Sequence, residues 1–242
     1  LFSPGAEFGP KAWSEARWRT RHSVDRNGEL YPSHGIGPCA MYTGINRGNR
    51  FTRINSFASK ARGLHEFVVA QGGPDHPNAR VRFQLGDIVT TTLSCANGET
   101  ILLQHDTSLP RPYSLGFRVQ GTRGLWMDVN QSIHIEHRSP AHKWEDFAGY
   151  QAQYDHPAWR KYAKSAEGAG HGGMDFFVIH AFVEAVKAHA PMPIDIYDAV
   201  TWSAITPLSE QSIAQDYATL DFPDFTAGAW QHRKPIFAFD AG

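Results

Sequence analysis

Polar and apolar positions alternate most regularly between residues 87 and 106, and the chain is best read outward from there. Residues 87–95 are rich in β-branched side chains at period two, and residues 100–106 repeat that period, so both predict strands. Between them Asn97-Gly98 supplies the positive φ angles of a tight hairpin turn. Residues 116–120 and 124–128 predict a second hairpin around Gly121-Thr122-Arg123, and 132–136 a further short strand. Partial alternation at Phe51, Arg53, Asn55 and Phe57 predicts another strand within 50–59. Strands joined by consecutive hairpins make an antiparallel sheet.

Elsewhere the period changes to that of a helix. Leu64, Phe67 and Val68 predict a short helix within 60–70. The strongest helical spacing runs through Phe176, Phe177, Ile179, His180, Phe182, Val183 and Val186 to His189, where Pro191 ends it. A second helix is expected from Asp195 through Ile205, and Ser209-Glu210 opens a third. The fold class expected is therefore α+β: an open, mainly antiparallel sheet with helices packed on one face. One domain is expected over residues 1–242, with irregular segments at 1–30 and 220–242.

Composition narrows the classes. A chain of 242 residues with 41% hydrophobic content can bury a sizeable core. Its formal charge of −1 gives no electrostatic footprint for nucleic acid or an anionic membrane. The longest apolar run is far too short to span a bilayer. Two cysteines, Cys39 and Cys95, make no disulfide framework and no metal knuckle. The pairs His134/His137 and His171/His180 do not complete a metal-ligand array, so no metal is expected. The sequence opens on Leu1 rather than Met and shows no signal peptide, so its first residue is not expected to be a gene start and its compartment stays open.

Candidate chemistry gathers at Tyr31-Pro32-Ser33-His34-Gly35-Ile36-Gly37-Pro38. A phenol, a hydroxyl and an imidazole fall within four residues, followed by a glycine that admits close backbone approach. A helix over 39–46, with Pro38 in its first turn, would set His34 at its positive end. The plain alternative is a turn in which Ser33 caps that helix. Arg19 offers a planar fork for oxygens, and Tyr113 stands between Pro112 and Ser114 in a proline-stiffened link. His171, within Gly170-His171-Gly172-Gly173-Met174-Asp175, reads better as a structural contact at a helix start.

The motif around Tyr31 to Pro38, with Arg17-Trp18-Arg19 and Arg26-Asn27-Gly28 before it, resembles the NAD-dependent α-N-acetylgalactosaminidases of glycoside hydrolase family 109, within the Gfo/Idh/MocA oxidoreductases. The likeness continues in Ile45-Asn46-Arg47-Gly48-Asn49-Arg50-Phe51, in Gly170 to Phe176, in Ile196-Tyr197-Asp198-Ala199-Val200, in Leu208-Ser209-Glu210 and in Phe222-Pro223-Asp224-Phe225-Thr226. It covers the C-terminal substrate domain alone. No Gly-x-Gly-x-x-Gly follows a strand, so the Rossmann domain that binds the dinucleotide is not expected in this chain.

The resemblance implies an unusual glycosidase. Ordinary glycosidases need two flanking carboxylates, and NAD-dependent enzymes are exceptions. Glu136, Glu145, Asp146 and Asp175 read as solvated or capping, not as such a pair. The implied route takes a hydride from the sugar C3, removes the acidified C2 proton, expels the aglycone from C1, adds water and returns the hydride. Arg19, Tyr31, Pro32, Ser33, His34 and Tyr113 are then the substrate wall, His34 and Tyr31 the catalytic candidates, and Tyr31 also lies beside the cofactor. No residue is assigned as the base. The implied partners are an α-GalNAc-type glycoside, a Rossmann domain supplied upstream or in trans, and a second copy through the sheet face. A sugar oxidoreductase of the same type, or a non-catalytic dimerisation module, are the other two readings.

Overall fold

The computed structural model describes residues 14–235, with side chains from Thr20 onward. These residues divide into two compact units, one of 14–110 with 194–235 and one of 111–193.

The first unit is built on a four-stranded sheet. Its strands are β1 (Phe51–Ala58), β2 (Ile88–Cys95) and β3 (Thr100–Asp106), with a short β8 (Leu220–Asp221) at the far edge. Their order is β3-β2-β1-β8, and all neighbours are antiparallel. Register puts Ile54, Leu93 and Ile101 in one row and Ser56, Thr91 and Leu103 in the next, all on the buried face. The opposite face carries Phe57 and Leu102, both more than half exposed. The alternation read from the sequence is thus a one-sided sheet, and its hairpin turns at Asn97-Gly98 with Gly98 at φ +96°.

Helices α1 (Ser14–Asp25), α2 (Ser33–Tyr42), α3 (Gly63–Gly72), α7 (Ile196–Ser203) and α8 (Ile205–Ala214) belong to this unit. Helix α8 lies against β1, where the Ser56 N–H donates to Ser212 Oγ at 2.9 Å. Ile36, Ile45, Phe51, Ile54, Leu93 and Ile205 form the centre of the core, each at most 2% exposed. Burying one such side chain contributes roughly 1.5–3 kcal/mol. Asp195 and Asp198 form a capping box that starts α7, and Asp198 takes a two-pronged bond from Arg47 at 2.7 Å on each oxygen.

The second unit is a smaller sheet with helices. Strands β4 (Arg118–Gly121), β5 (Gly124–Met127), β6 (Ser132–Ile135) and β7 (Glu145–Asp146) pair in sequence order, all antiparallel. Helices α4 (Ala148–Tyr154), α5 (Pro157–Ala166) and α6 (Met174–Lys187) follow. Rings join the last two, with Trp159 4.5 Å from Phe177 and Tyr162 4.7 Å from His180. No residue of α6 is buried.

Four expectations change. The hairpins build two sheets rather than one. Residues 14–25, expected to be irregular, are a helix, closed by an Arg21–Asp25 pair one turn apart at 3.3 Å. The tail is irregular only in part, because β8 pairs with β1 and Phe222 enters the core edge-on to Phe51 at 5.2 Å. The helix expected over 39–46 begins at Ser33 and ends at Tyr42, with Pro38 inside it. Ile36 and Ala40, four residues apart and both buried, reward the earlier start. Pro38 then removes one hydrogen bond, the one its N–H would have given the His34 carbonyl.

Candidate functional site

Residues 26–34 are laid across the start of α8 by paired contacts. Arg26 grips Glu210 with two nitrogens, at 2.6 and 2.8 Å. The Glu29 N–H donates to Ser209 Oγ at 2.8 Å, and Thr206 Oγ1 donates to the Glu29 carbonyl at 2.8 Å. Gly28 is required here, since an added Cβ would stand 2.6 Å from Glu210 Cγ and 2.8 Å from Ser209 Oγ. The chain therefore enters the Tyr31 segment from a fixed point.

Pro32 precedes α2 in a helical conformation, and its carbonyl accepts the N–H groups of Gly35 and Ile36 at 3.1 and 2.8 Å. Its side chain is buried while Tyr31, Ser33 and His34 are exposed, so Pro32 is the pin and the other three face outward. Ser33 does not cap the helix; its Oγ lies 3.4 Å from His34 Nδ1. The Tyr31 and His34 rings stack, centroids 4.6 Å apart at 27°. The imidazole thus sits in the first turn of α2, where the unpaired N–H groups of the helix start attract an electron-rich oxygen. Tyr31 is 48% exposed, so a planar face and two proton-carrying groups are open to a ligand.

The other candidates are placed as follows. Arg19 lies on α1, but its side chain falls outside the described residues. Tyr113 belongs to the second unit and is 89% exposed, in a link where the Arg111 guanidinium donates to the Ser114 carbonyl at 3.1 Å. His171 holds Asp175 one turn on, at 2.9 Å, which is the structural role expected of it. His134 contacts the Lys143 carbonyl at 2.9 Å, and His180 packs among rings. Among the described residues no group of three His, Cys, Asp or Glu side chains is arranged to hold a metal ion. Asp146 accepts the Ala148 N–H at the start of α4, and Glu145 takes the Tyr150 hydroxyl at 3.1 Å. Trp230 is half-buried, with its carbonyl accepting the Gly48 N–H at 2.7 Å.

Sequence reasoning passed over Glu29. Its side chain is 4% exposed, with Oε1 3.3 Å from Nδ1 of an equally enclosed His105 and 3.1 Å from the Tyr31 N–H. The one available signal was its place two residues before Tyr31; its burial is a tertiary fact.

Both sheets are antiparallel, so no βαβ unit among the described residues supplies a cradle for a pyrophosphate. The exposed phenol and imidazole do fit a flat ring edge and hydroxyl groups.

The family model described as "Glycosyl hydrolase 109, C-terminal domain" matches residues 1–232. A glycosyl hydrolase family 109 protein of Stenotrophomonas maltophilia is 78% identical over 99% of this chain and 53% of its own length. An alpha-N-acetylgalactosaminidase of Tannerella forsythia is 54% identical over 98% of this chain and 51% of its own. The chain thus spans about half the length of the curated relatives it matches. Among solved structures, a levoglucosan dehydrogenase in complex with NADH and levoglucosan aligns with TM-score 0.55 at 15% identity, over 86% of this chain and 62% of that one. An inositol dehydrogenase homologue from Azotobacter vinelandii, with NADH and myo-inositol, aligns with TM-score 0.50 at 17% identity, over 85% of this chain and 52% of that one. At that identity the likeness shows the fold alone.

Proposed function

This chain belongs to glycosyl hydrolase family 109, and we propose that it is the substrate-side half of an NAD-dependent glycosidase acting on α-N-acetylgalactosaminides. The observation that carries this reading is the exposed Tyr31–His34 stack at the first turn of α2. A relative 54% identical bears the name alpha-N-acetylgalactosaminidase, which supports the choice of sugar. Bound NAD⁺, held mainly by a Rossmann domain outside this chain, supplies a reversible hydride acceptor for the sugar C3.

The chain's own residues bind and carry protons. The His34 imidazole can act as a general acid or base, and the Tyr31 hydroxyl can donate to an oxygen on which charge develops. Both would meet the sugar near the C2–C3 bond, and Tyr31 would also help to hold the nicotinamide. Ser33 orients the imidazole through its contact with Nδ1. Pro32 fixes the direction of the segment. A second copy covers the outer sheet face through Phe57 and Leu102.

The test joins this chain to the unmatched part of the Stenotrophomonas relative and assays a chromogenic α-GalNAc glycoside with NAD⁺. Aglycone release without net NADH is expected. His34→Ala should lower kcat by about 100-fold or more, in line with the loss of a general acid or base. Steady NADH accumulation from the free sugar would instead favour an oxidoreductase.

A further inference from the structure

We infer that Glu29, held by His105, is a positioning residue for the Tyr31–His34 pair. The inference rests on the role proposed above for that pair.

A carboxylate inside a protein is costly unless matched, and Glu29 is matched in a particular way. Its Oε1 lies 3.3 Å from His105 Nδ1 and 3.1 Å from the Tyr31 backbone nitrogen, so one oxygen is shared between the sheet and the functional segment. His105 stands on the inner face of β3, in register with Val89 and two residues beyond Leu103, where every other side chain in its row is apolar or hydroxyl-bearing. The Glu29 backbone is clasped independently by Ser209 and Thr206. The carboxylate therefore does not hold α8 in place. What it fixes is where the Tyr31 backbone leaves the core.

Tyr31 has its ring stacked on His34, so a rotation of its backbone would separate the two rings. A displacement of about 1 Å in a group that must meet a reacting atom costs up to roughly 100-fold in rate. Substrate affinity should change little, because neither Glu29 nor His105 is exposed to a ligand.

Two measurements test this. In the joined enzyme, Glu29→Gln and His105→Gln should each lower kcat about 10- to 100-fold with KM within twofold. The double variant should fall no further than the worse single one, as two residues acting as a unit require. Glu29→Asp, which keeps the carboxyl group, should recover most of the lost rate. In the 242-residue chain alone, the His34 ring resonances should move in the Glu29→Gln spectrum, because the Tyr31 ring no longer lies over them. Unmoved His34 resonances would overturn the proposal, as would additive kcat losses or a rise in KM matching the fall in kcat. The ring resonances need no substrate, so an enzyme inert toward α-GalNAc would sink the proposed function while the role of Glu29 was still decided.

Discussion

The two units start from the same device, a Gly-bearing hairpin, and reach different ends. In the first, strands of seven and eight residues alternate buried and open positions along their whole length. In the second, four-residue strands bury little, and the apolar helix α6 leaves Val178, Ile179, Phe182 and Val186 at least half exposed. Length is the difference. A strand of eight residues places four side chains on one face, enough to meet a helix; one of four places two. The exposed Tyr31–His34 stack stands on the well-packed unit, which suits groups that must be held to a fraction of an ångström.

The contrast is sharpest for ion pairs. Arg47–Asp198 is enclosed, each side chain at most 3% exposed, while His171–Asp175 is 72% and 53% exposed. Arg47→Ala should cost about 3–5 kcal/mol by leaving a buried charge alone. His171→Ala should cost roughly 0–1 kcal/mol. Urea unfolding of both variants decides it, and equal losses would erase the distinction.

The same pair gives a pH signature. Burial pushes the Asp198 carboxyl up, but the bonds from Arg47, the Asp195 backbone and Asn46 outweigh it and leave it below the ordinary range. The unfolded chain therefore takes up this proton first as the solution is acidified. The stabilisation is present above the unfolded value of about 3.9 and is lost as pH falls through the lowered folded value. Asp198→Asn should flatten the acid limb of a stability–pH curve; an unchanged slope would assign that limb to other carboxylates.

Core packing comes next. Leu93→Ala, at a fully buried site, should lower stability by about 2–5 kcal/mol. Val183→Ala on α6, 38% exposed, should stay within about 0.5 kcal/mol.

The turns give the smallest stability effect. Gly98 holds φ +96° with no atom within 4 Å of an added Cβ, so Gly98→Ala should cost about 1 kcal/mol from backbone strain alone. Gly121 is equally uncrowded and lies outside the left-handed region, so Gly121→Ala should be neutral or gain up to about 1 kcal/mol. Last, burial and then Glu99 push the Cys95 thiol up to about 11, so native protein at pH 7.5 should leave it unalkylated. Rapid labelling of Cys95 would mean that the first unit opens.

Local rules determined a good deal of this protein. Asn97-Gly98 and the period-two runs beside it sufficed to place β2 and β3 within a residue of where they lie, because turn chemistry and alternation act between near neighbours. The spacing of Phe176 to Val186 likewise sufficed for α6, and the Tyr31–Pro38 motif with its companions along the chain for the family. Tertiary structure alone decided the rest. Pro38 reads as a helix start, yet Ile36 and Ala40 draw α2 back to Ser33 because their burial outweighs one lost hydrogen bond. The same holds for Leu220–Asp221 joining β1, for the strands parting into two sheets, and for Glu29 meeting His105 across 76 positions. Each depends on surfaces far apart in the chain, whose approach is settled by which of them can leave water together.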